Sequence, residues 1–408
     1  MDKLLTVIVQ TSPIPSHAST ALLEALFRSF CHADGFLEST ILIVCDGCQV
    51  VKEQSGETEN HKHGKASLET AQRYREHLVR LRHAVDTQQP PFVPHQNGSI
   101  KLLELERRHG SACAIQAAFV KRKIQTPLVM VCQHDNFFIH TVPFRACVHA
   151  MVERPGLGVG VQCLHFLSTA TLNYQEKIQK RYHMDISKAT VEIHLDNNTR
   201  KFQLVPLVFW YGRSHLSYTD HYRNTILNNN HRPLQVGDHL EELLGVAQLH
   251  DIQRRGMETA FSDYGTYVLD PGDGKEVIYH LSGRRVRAAA TTTTEQQQQQ
   301  QQDATMGHEE GATISPQEKN DTTTIHPQQQ GQPPGSFTTA RSCRAIVPGL
   351  EIVSDYQDNN NQSTTANKAP KGRFKQKCFH CGNKGHSYKY CPNMTNNDTP
   401  NTETIDLS

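Results

Sequence analysis

The chain has 408 residues and a formal net charge of only +1, so it is not a globally basic nucleic-acid binder, and any basic character must be local. Its eleven cysteines, an odd number scattered along the sequence, do not form a disulfide framework and predict a reducing compartment. No apolar run approaches the ~18 residues a membrane span requires, and residues 4–9 are too short and lack the cationic leader of a secretory signal, so a cytoplasmic or nuclear protein with no membrane partner is expected.

Taken in chain order, residues 6–9 and 41–45 are short β-branched runs that predict strands. Between them Ser19 is placed to cap a helix whose Leu22, Leu23, Leu26, Phe27 and Phe30 share one face. Cys45 and Cys48 form a C-x2-C pair, but no second ligand pair stands near them, and they read as structural cysteines at a strand end. Ser111 is placed to cap a second helix carrying Ala112, Ile115, Ala118 and Phe119. Pro127 ends that helix, and residues 128–132 form the next buried strand. Runs at 190–195 and 202–211 predict further strands, and residues 238–247, with Leu240, Leu243 and Leu244, predict another helix.

This alternation predicts an α/β fold over residues 1–287, a mostly parallel sheet flanked by helices. Ligands of such sheets bind beyond the carboxyl ends of the strands, where two polar clusters fall: Asp46-Gly47, and Gln133-His134-Asp135-Asn136. Asp46-Gly47 also fits an ordinary turn. Asp238 with Glu241 three positions later fits a helix start, and His280 fits a polar residue at a strand end. His61 and His63 lie in a polar loop with no interpretable spacing.

From Ala288 the composition changes. Three alanines and four threonines lead to seven glutamines at 296–302, and the chain to about residue 370 stays rich in Thr, Gln, Asn, Pro and Gly. Such a stretch cannot bury enough apolar surface to offset its ordering entropy, and 288–370 is expected to be a disordered linker. Residues 345–353 interrupt it with an apolar patch, readable as a docking motif for a protein partner or simply as a sticky spot.

Residues 371–394 carry the most specific motif, Cys378, Cys381, His386 and Cys391 at the spacing C-x2-C-x4-H-x4-C, the ligand set of a closed tetrahedral Zn2+ site. Gly382 and Gly385 let the backbone fold back so that the later ligands complete the shell. Seven basic residues and no acid lie between Lys368 and Cys391. Among them Arg373, Lys375, Lys377, Lys384 and Lys389 stand closest to the aromatic faces of Phe379 and Tyr388, a combination suited to phosphate and to stacked bases. The same residues also fit a zinc clip with a solvated charge run and rings that only cover the metal. Residues 395–408 read as a disordered tail.

Two resemblances add to this. Residues 378–391 resemble the zinc knuckle of retroviral nucleocapsid and cellular RNA-binding proteins, matching C-x2-C-G-x2-G-H-x4-C at every fixed position, which implies single-stranded RNA or DNA as a partner. Residues 5–140 resemble nucleotide-sugar glycosyltransferases of the GT-A fold. The strand ending in Asp46 matches that family's nucleobase-contacting strand, 109–116 its glycine turn, and Leu128 to Asp135 the strand leading to its D-x-D motif.

The second resemblance implies a nucleotide-sugar partner held by Asp46, Gln133 and Asp135 with Mn2+ or Mg2+, a catalytic acidic pair in Asp238 and Glu241, and a late metal ligand in His280. Here Gln133 stands at the first D-x-D position, leaving one carboxylate. The expected protein is therefore a zinc-dependent nucleic-acid binder with a glycosyltransferase-like body. The alternative is an active soluble glycosyltransferase whose knuckle recruits it. A retroelement structural protein shares the knuckle after a tether, but its capsid domain is all-helical, unlike this α/β body.

Overall fold

The computed structural model describes residues 1–51, 58–61, 64–195, 201–228, 233–281, 286–288 and 350–352. The chain divides into two units, Met1–Asp355 and Tyr356–Ser408, and every described residue belongs to the first. The zinc ligands Cys378, Cys381, His386 and Cys391, their aromatic and basic neighbours and the tail lie outside the described residues, as does most of the expected linker.

The elements run β1 Leu5–Thr11, α1 Ala21–Ser29, β2 Thr40–Cys45, β3 Gln49–Val50, β4 Lys65–Ala66, α2 Leu68–Asp86, β5 Ser99–Glu104, α3 Ser111–Arg122, β6 Leu128–Gln133, β7 Asn136–Phe138 and α4 Phe144–Glu153. They continue with β8 Cys163–His165, α5 Thr171–Tyr182, β9 Val191–His194, β10 Lys201–Pro206, β11 His215–Tyr218, α6 Thr219–His221, α7 Val246–Arg255, α8 Met257–Tyr264, β12 Thr266–Asp270, β13 Ile278–His280, β14 Val286–Ala288 and β15 Leu350–Ile352.

Nine strands form one mixed sheet in the order β5-β2-β1-β6-β11-β8-β12-β10-β9. Its first four strands are mutually parallel, with Val7 opposite Ile41 on one side and Met130 on the other. Their side chains alternate between two apolar cores. Val7, Val9, Ile41, Ile43, Met130 and Cys132 face the helices α1 and α4, whereas Ile8, Leu42, Val44, Val129 and Val131 face α3. Burial on both faces is why β1, β2 and β6 are near-continuous apolar runs rather than alternating ones. The expected α/β class, a sheet with helices on both faces, is borne out.

The chain runs from β1 outward to β2 and β5, then returns past β1 to β6. The strand order therefore reverses between β1 and β6, and a crevice opens at their carboxyl ends. All four parallel strands end on that edge, so the loops after each of them can contribute to one site.

Several local expectations are corrected. Thr20, not Ser19, occupies the cap position of α1, while Ser19 Oγ accepts from the Ala21 amide at 3.1 Å. Ser111 is the first residue of α3 rather than its cap, because Gly110 at φ 77°, ψ 167° makes the entry turn. The expected strand 202–211 leaves the sheet after Pro206. The expected helix at 238 begins instead with a π-helical turn, Glu241–Gly245, that runs into α7. Within the expected linker, Leu350–Ile352 pair antiparallel with Val286–Ala288, so part of the apolar patch at 345–353 is a strand. No helix among the described residues is long and apolar enough to cross a membrane.

Candidate functional site

A cavity of about 320 Å3 opens at the crevice. β1 supplies Gln10 and Thr11, the turn after β2 supplies Asp46 and Gly47, the entry to α3 supplies Arg108, Gly110 and Ser111, and the end of β6 supplies Gln133, His134 and Asp135. The later chain contributes Gly212, Arg213, Gly237, His239, Glu241 and His280. A second chamber of about 260 Å3 shares Gln10, Ser111, Gln133, Gly212, His239 and Glu241 with it and reaches Trp210, His215 and Tyr222. Asp46, Gln133, Asp135, Glu241 and His280, far apart in sequence, thus border one space. Asp238 is not among the lining residues.

The Asp46 carboxylate is largely committed to the backbone. Its Oδ1 accepts from the His109 amide and its Oδ2 from the Gly110 amide, each at 2.8 Å, and burial raises its pKa against the lowering pull of those donors. Asp46 therefore fixes the turn that starts α3. Two glycines make that turn possible. A Cβ on Gly110 would lie 2.6 Å from the Gly237 Cα, and one on Gly47 2.4 Å from the Arg107 carbonyl carbon, so neither position has room for a side chain. Gln10 and Ser111 lock the other side, Gln10 Nε2 donating to the Ser111 carbonyl at 2.7 Å and Ser111 Oγ donating to Gln10 Oε1 at 2.9 Å.

At the end of β6, Gln133 Oε1 accepts from Asn136 Nδ2 at 3.2 Å. Asp135 Oδ2 lies 3.4 Å from His280 Nε2, because β13 pairs antiparallel with β7 and sets His280 opposite Asn136. Glu241 Oε2 accepts from the Gly212 amide at 3.1 Å, which aims the head of the π-helical turn at the cavity. π-turns recur at functional sites. Asp238 Oδ2 instead accepts from the Gln235 amide at 2.7 Å and closes its own turn, and Leu240 rather than Asp238 precedes the helical residues, so no capping box forms with Glu241.

The donor set for a cation is modest. Among the described residues no group of three His, Cys, Asp or Glu side chains is placed to hold a metal ion. Asp135 and His280 face each other, and Gln133 brings an amide where D-x-D would bring a second carboxylate. That set falls short of the one the family resemblance implies for Mn2+ or Mg2+.

Arg108, Arg213, His17, Tyr74 and His77 carry no local signal in the sequence. Arg108 and Arg213 both line the cavity. Beneath the loop after β1, His17 stacks on His77 at 4.0 Å and on Tyr74 at 5.0 Å, while the Tyr74 hydroxyl donates to the Asp46 carbonyl at 2.7 Å. His134 Nδ1 lies 2.9 Å from Thr11 Oγ1. The C-x2-C pair is a buried Cys45 and a half-buried Cys48, both with thiols rather than a disulfide, and burial pushes each thiol pKa up.

No protein-family model and no curated protein matches the chain. Among solved structures it is similar to S. aureus TarS at 11% identity and a TM-score of 0.36, over 68% of this chain and 36% of that one. It is similar to a mannosyltransferase from Pyrobaculum calidifontis in complex with GDP-Man and Mn2+ at 14% identity and a TM-score of 0.32, over 55% of this chain and 47% of that one. It is also similar to a UDP-glucose pyrophosphorylase complexed with UDP-glucose at 8% identity and a TM-score of 0.29, over 60% and 88% of the two chains. The chain spans less than half the length of the first two, and likeness at these TM-scores assigns no activity.

Proposed function

We propose that the first unit is a glycosyltransferase-like domain that binds a nucleotide-diphosphate sugar, and that the C-terminal knuckle binds zinc and single-stranded nucleic acid. One observation carries the first half: the loops after β1, β2 and β6 meet at a single cavity at the strand-order reversal, together with Glu241 and His280 from the later chain. The second half rests on the ligand spacing of Cys378, Cys381, His386 and Cys391 and on the basic and aromatic residues among them.

In this reading Glu241 is the acid-base residue. Its carboxylate is oriented by the Gly212 amide and retains lone pairs for the proton of an acceptor hydroxyl. As that oxygen bonds to the sugar's anomeric carbon, the bond from that carbon to the diphosphate oxygen breaks and the proton passes to Glu241. Asp238 acts as a positioning residue, holding the Gln235 turn behind Gly237. Gln133 favours a second reading, a body that binds nucleotide sugar without turning it over and serves the knuckle as an adapter.

Purified full-length protein incubated with a panel of nucleotide sugars separates these. Binding, seen as a raised melting temperature, is common to both readings. Release of nucleoside diphosphate by the wild type but not by Glu241→Gln, followed by mass spectrometry, identifies the enzyme. A panel in which no nucleotide sugar shifts the melting temperature rejects the nucleotide-sugar site.

A further inference from the structure

We infer that this cavity neutralises the diphosphate of its ligand with the guanidinium groups of Arg108 and Arg213, so that a nucleoside diphosphate binds without a divalent cation. The inference rests on the cavity's reading as a nucleotide-diphosphate site and reverses the metal dependence that the D-x-D resemblance implies.

The acids of the cavity are engaged. Asp46 receives two backbone N–H donors, Asp135 faces His280, and Glu241 receives the Gly212 amide. Among the described residues neither Arg108 nor Arg213 forms an ion pair, and the buried Arg108 Nε has no hydrogen-bond partner. A buried N–H without an acceptor is costly, and a phosphate oxygen bound beside it removes that cost.

Arg108 is also closely bordered by backbone. A Cβ on Gly64 would lie 2.6 Å from its Nε, and a Cβ on Gly237 2.6 Å from its Nη2, so two glycines, both at positive φ, leave the passage through which the side chain enters. A guanidinium confined to such a passage has fewer conformations to lose on meeting phosphate oxygens than an open surface arginine has. The two positive charges at the cavity match the charge of a bridging diphosphate, where Gln133 and Asp135 together offer a metal only one carboxylate.

The test is isothermal titration of the full chain with UDP, GDP, ADP and CDP, first in EDTA and then with Mn2+. The same titrations are run on Arg108→Lys and Arg213→Gln, each first checked for an unchanged melting curve. At least one nucleoside diphosphate is expected to bind in EDTA. Each substitution is expected to weaken that binding by about tenfold or more, while the matching unphosphorylated nucleoside binds wild type and variants alike. Should Arg108→Lys fail to fold, Arg213→Gln carries the comparison alone.

Binding that appears only with Mn2+, is lost in Asp135→Asn and ignores both arginine substitutions would overturn the inference. That outcome leaves the nucleotide reading of the cavity intact. Absence of binding with and without Mn2+ would remove both.

Discussion

His17 Nδ1 lies 3.2 Å from the Ile14 amide, and a backbone N–H can only donate, so this imidazole is neutral with its proton on Nε2. His77 is the mirror case. Its Nδ1 lies 3.0 Å from the Ser19 carbonyl, which can only accept, so the proton sits on Nδ1, and the buried Nε2, without a partner among the described residues, stays bare. Burial holds His17 far below the usual 6.5, helped by His77, His134, His61 and Arg73, and takes His77 to about 4. His215 and His221, both lowered by burial, also fall to about 4. The unfolded chain takes up these protons near pH 6.5 and the fold refuses them until far lower. Their contribution is therefore complete above 6.5 and is lost as pH falls from there toward 4. Melting temperature is expected to drop steeply across that window, with the loop of Ser12, Pro13 and Ile14 at the cavity wall among the first parts to open. A melting temperature that holds or rises on acidification would contradict the assignment. At this scale the sequence marks Asp46, Asp135 and Glu241 as candidates, because acids after strands or at helix starts announce themselves locally, and the fold brings all three to one cavity. The sequence did not reveal the His17–His77 stack or Arg108, whose neighbours arrive from distant parts of the chain.

The π-helical turn Glu241–Gly245 meets the chain leaving β10 at very short range. A Cβ on Gly245 would lie 2.6 Å from the Trp210 carbonyl oxygen and 2.8 Å from the Phe209 ring. That same chain carries Gly212 and Arg213 to the cavity, so the glycine sets where one wall stands. Gly245→Ala is expected to cost about 1–3 kcal/mol of stability and to weaken nucleotide binding by displacing Gly212 and Arg213. An unaltered melting curve together with unaltered nucleotide affinity would show that the contact is not tight. The legibility of elements follows the same logic of local against distant cause. β1, β2 and β6 stand out because both of their faces are buried. By contrast α2, 19 residues long, was not anticipated, since its buried face includes Thr70, Tyr74 and His77 rather than an apolar stripe alone. β5, at the sheet edge and mostly half-buried, has a correspondingly mixed sequence.

The sequence joins the α/β body to a short cysteine-rich segment, and the two are expected to draw stability from different sources. Residues 371–394 are expected to owe their structure to metal, because so few residues bury too little surface to fold unaided. Metal analysis of the full-length protein is expected to give one zinc per chain, diminished in His386→Ala. Single-stranded RNA affinity is expected to fall steeply with salt and to drop by about 1 to 3 kcal/mol in Phe379→Ala. Zinc retained in His386→Ala, or RNA binding indifferent to salt, would count against the knuckle. The body's own order of assembly follows from β1. β1 occupies the interior of the sheet, and its second neighbour, β6, begins more than a hundred residues downstream. At a synthesis rate of about 5–20 residues per second, β1 is expected to wait on the order of 6 to 25 seconds with one backbone edge unpaired. For that interval the nascent chain is expected to lean on chaperones, its yield in a cell set by how well that one edge is shielded until translation catches up.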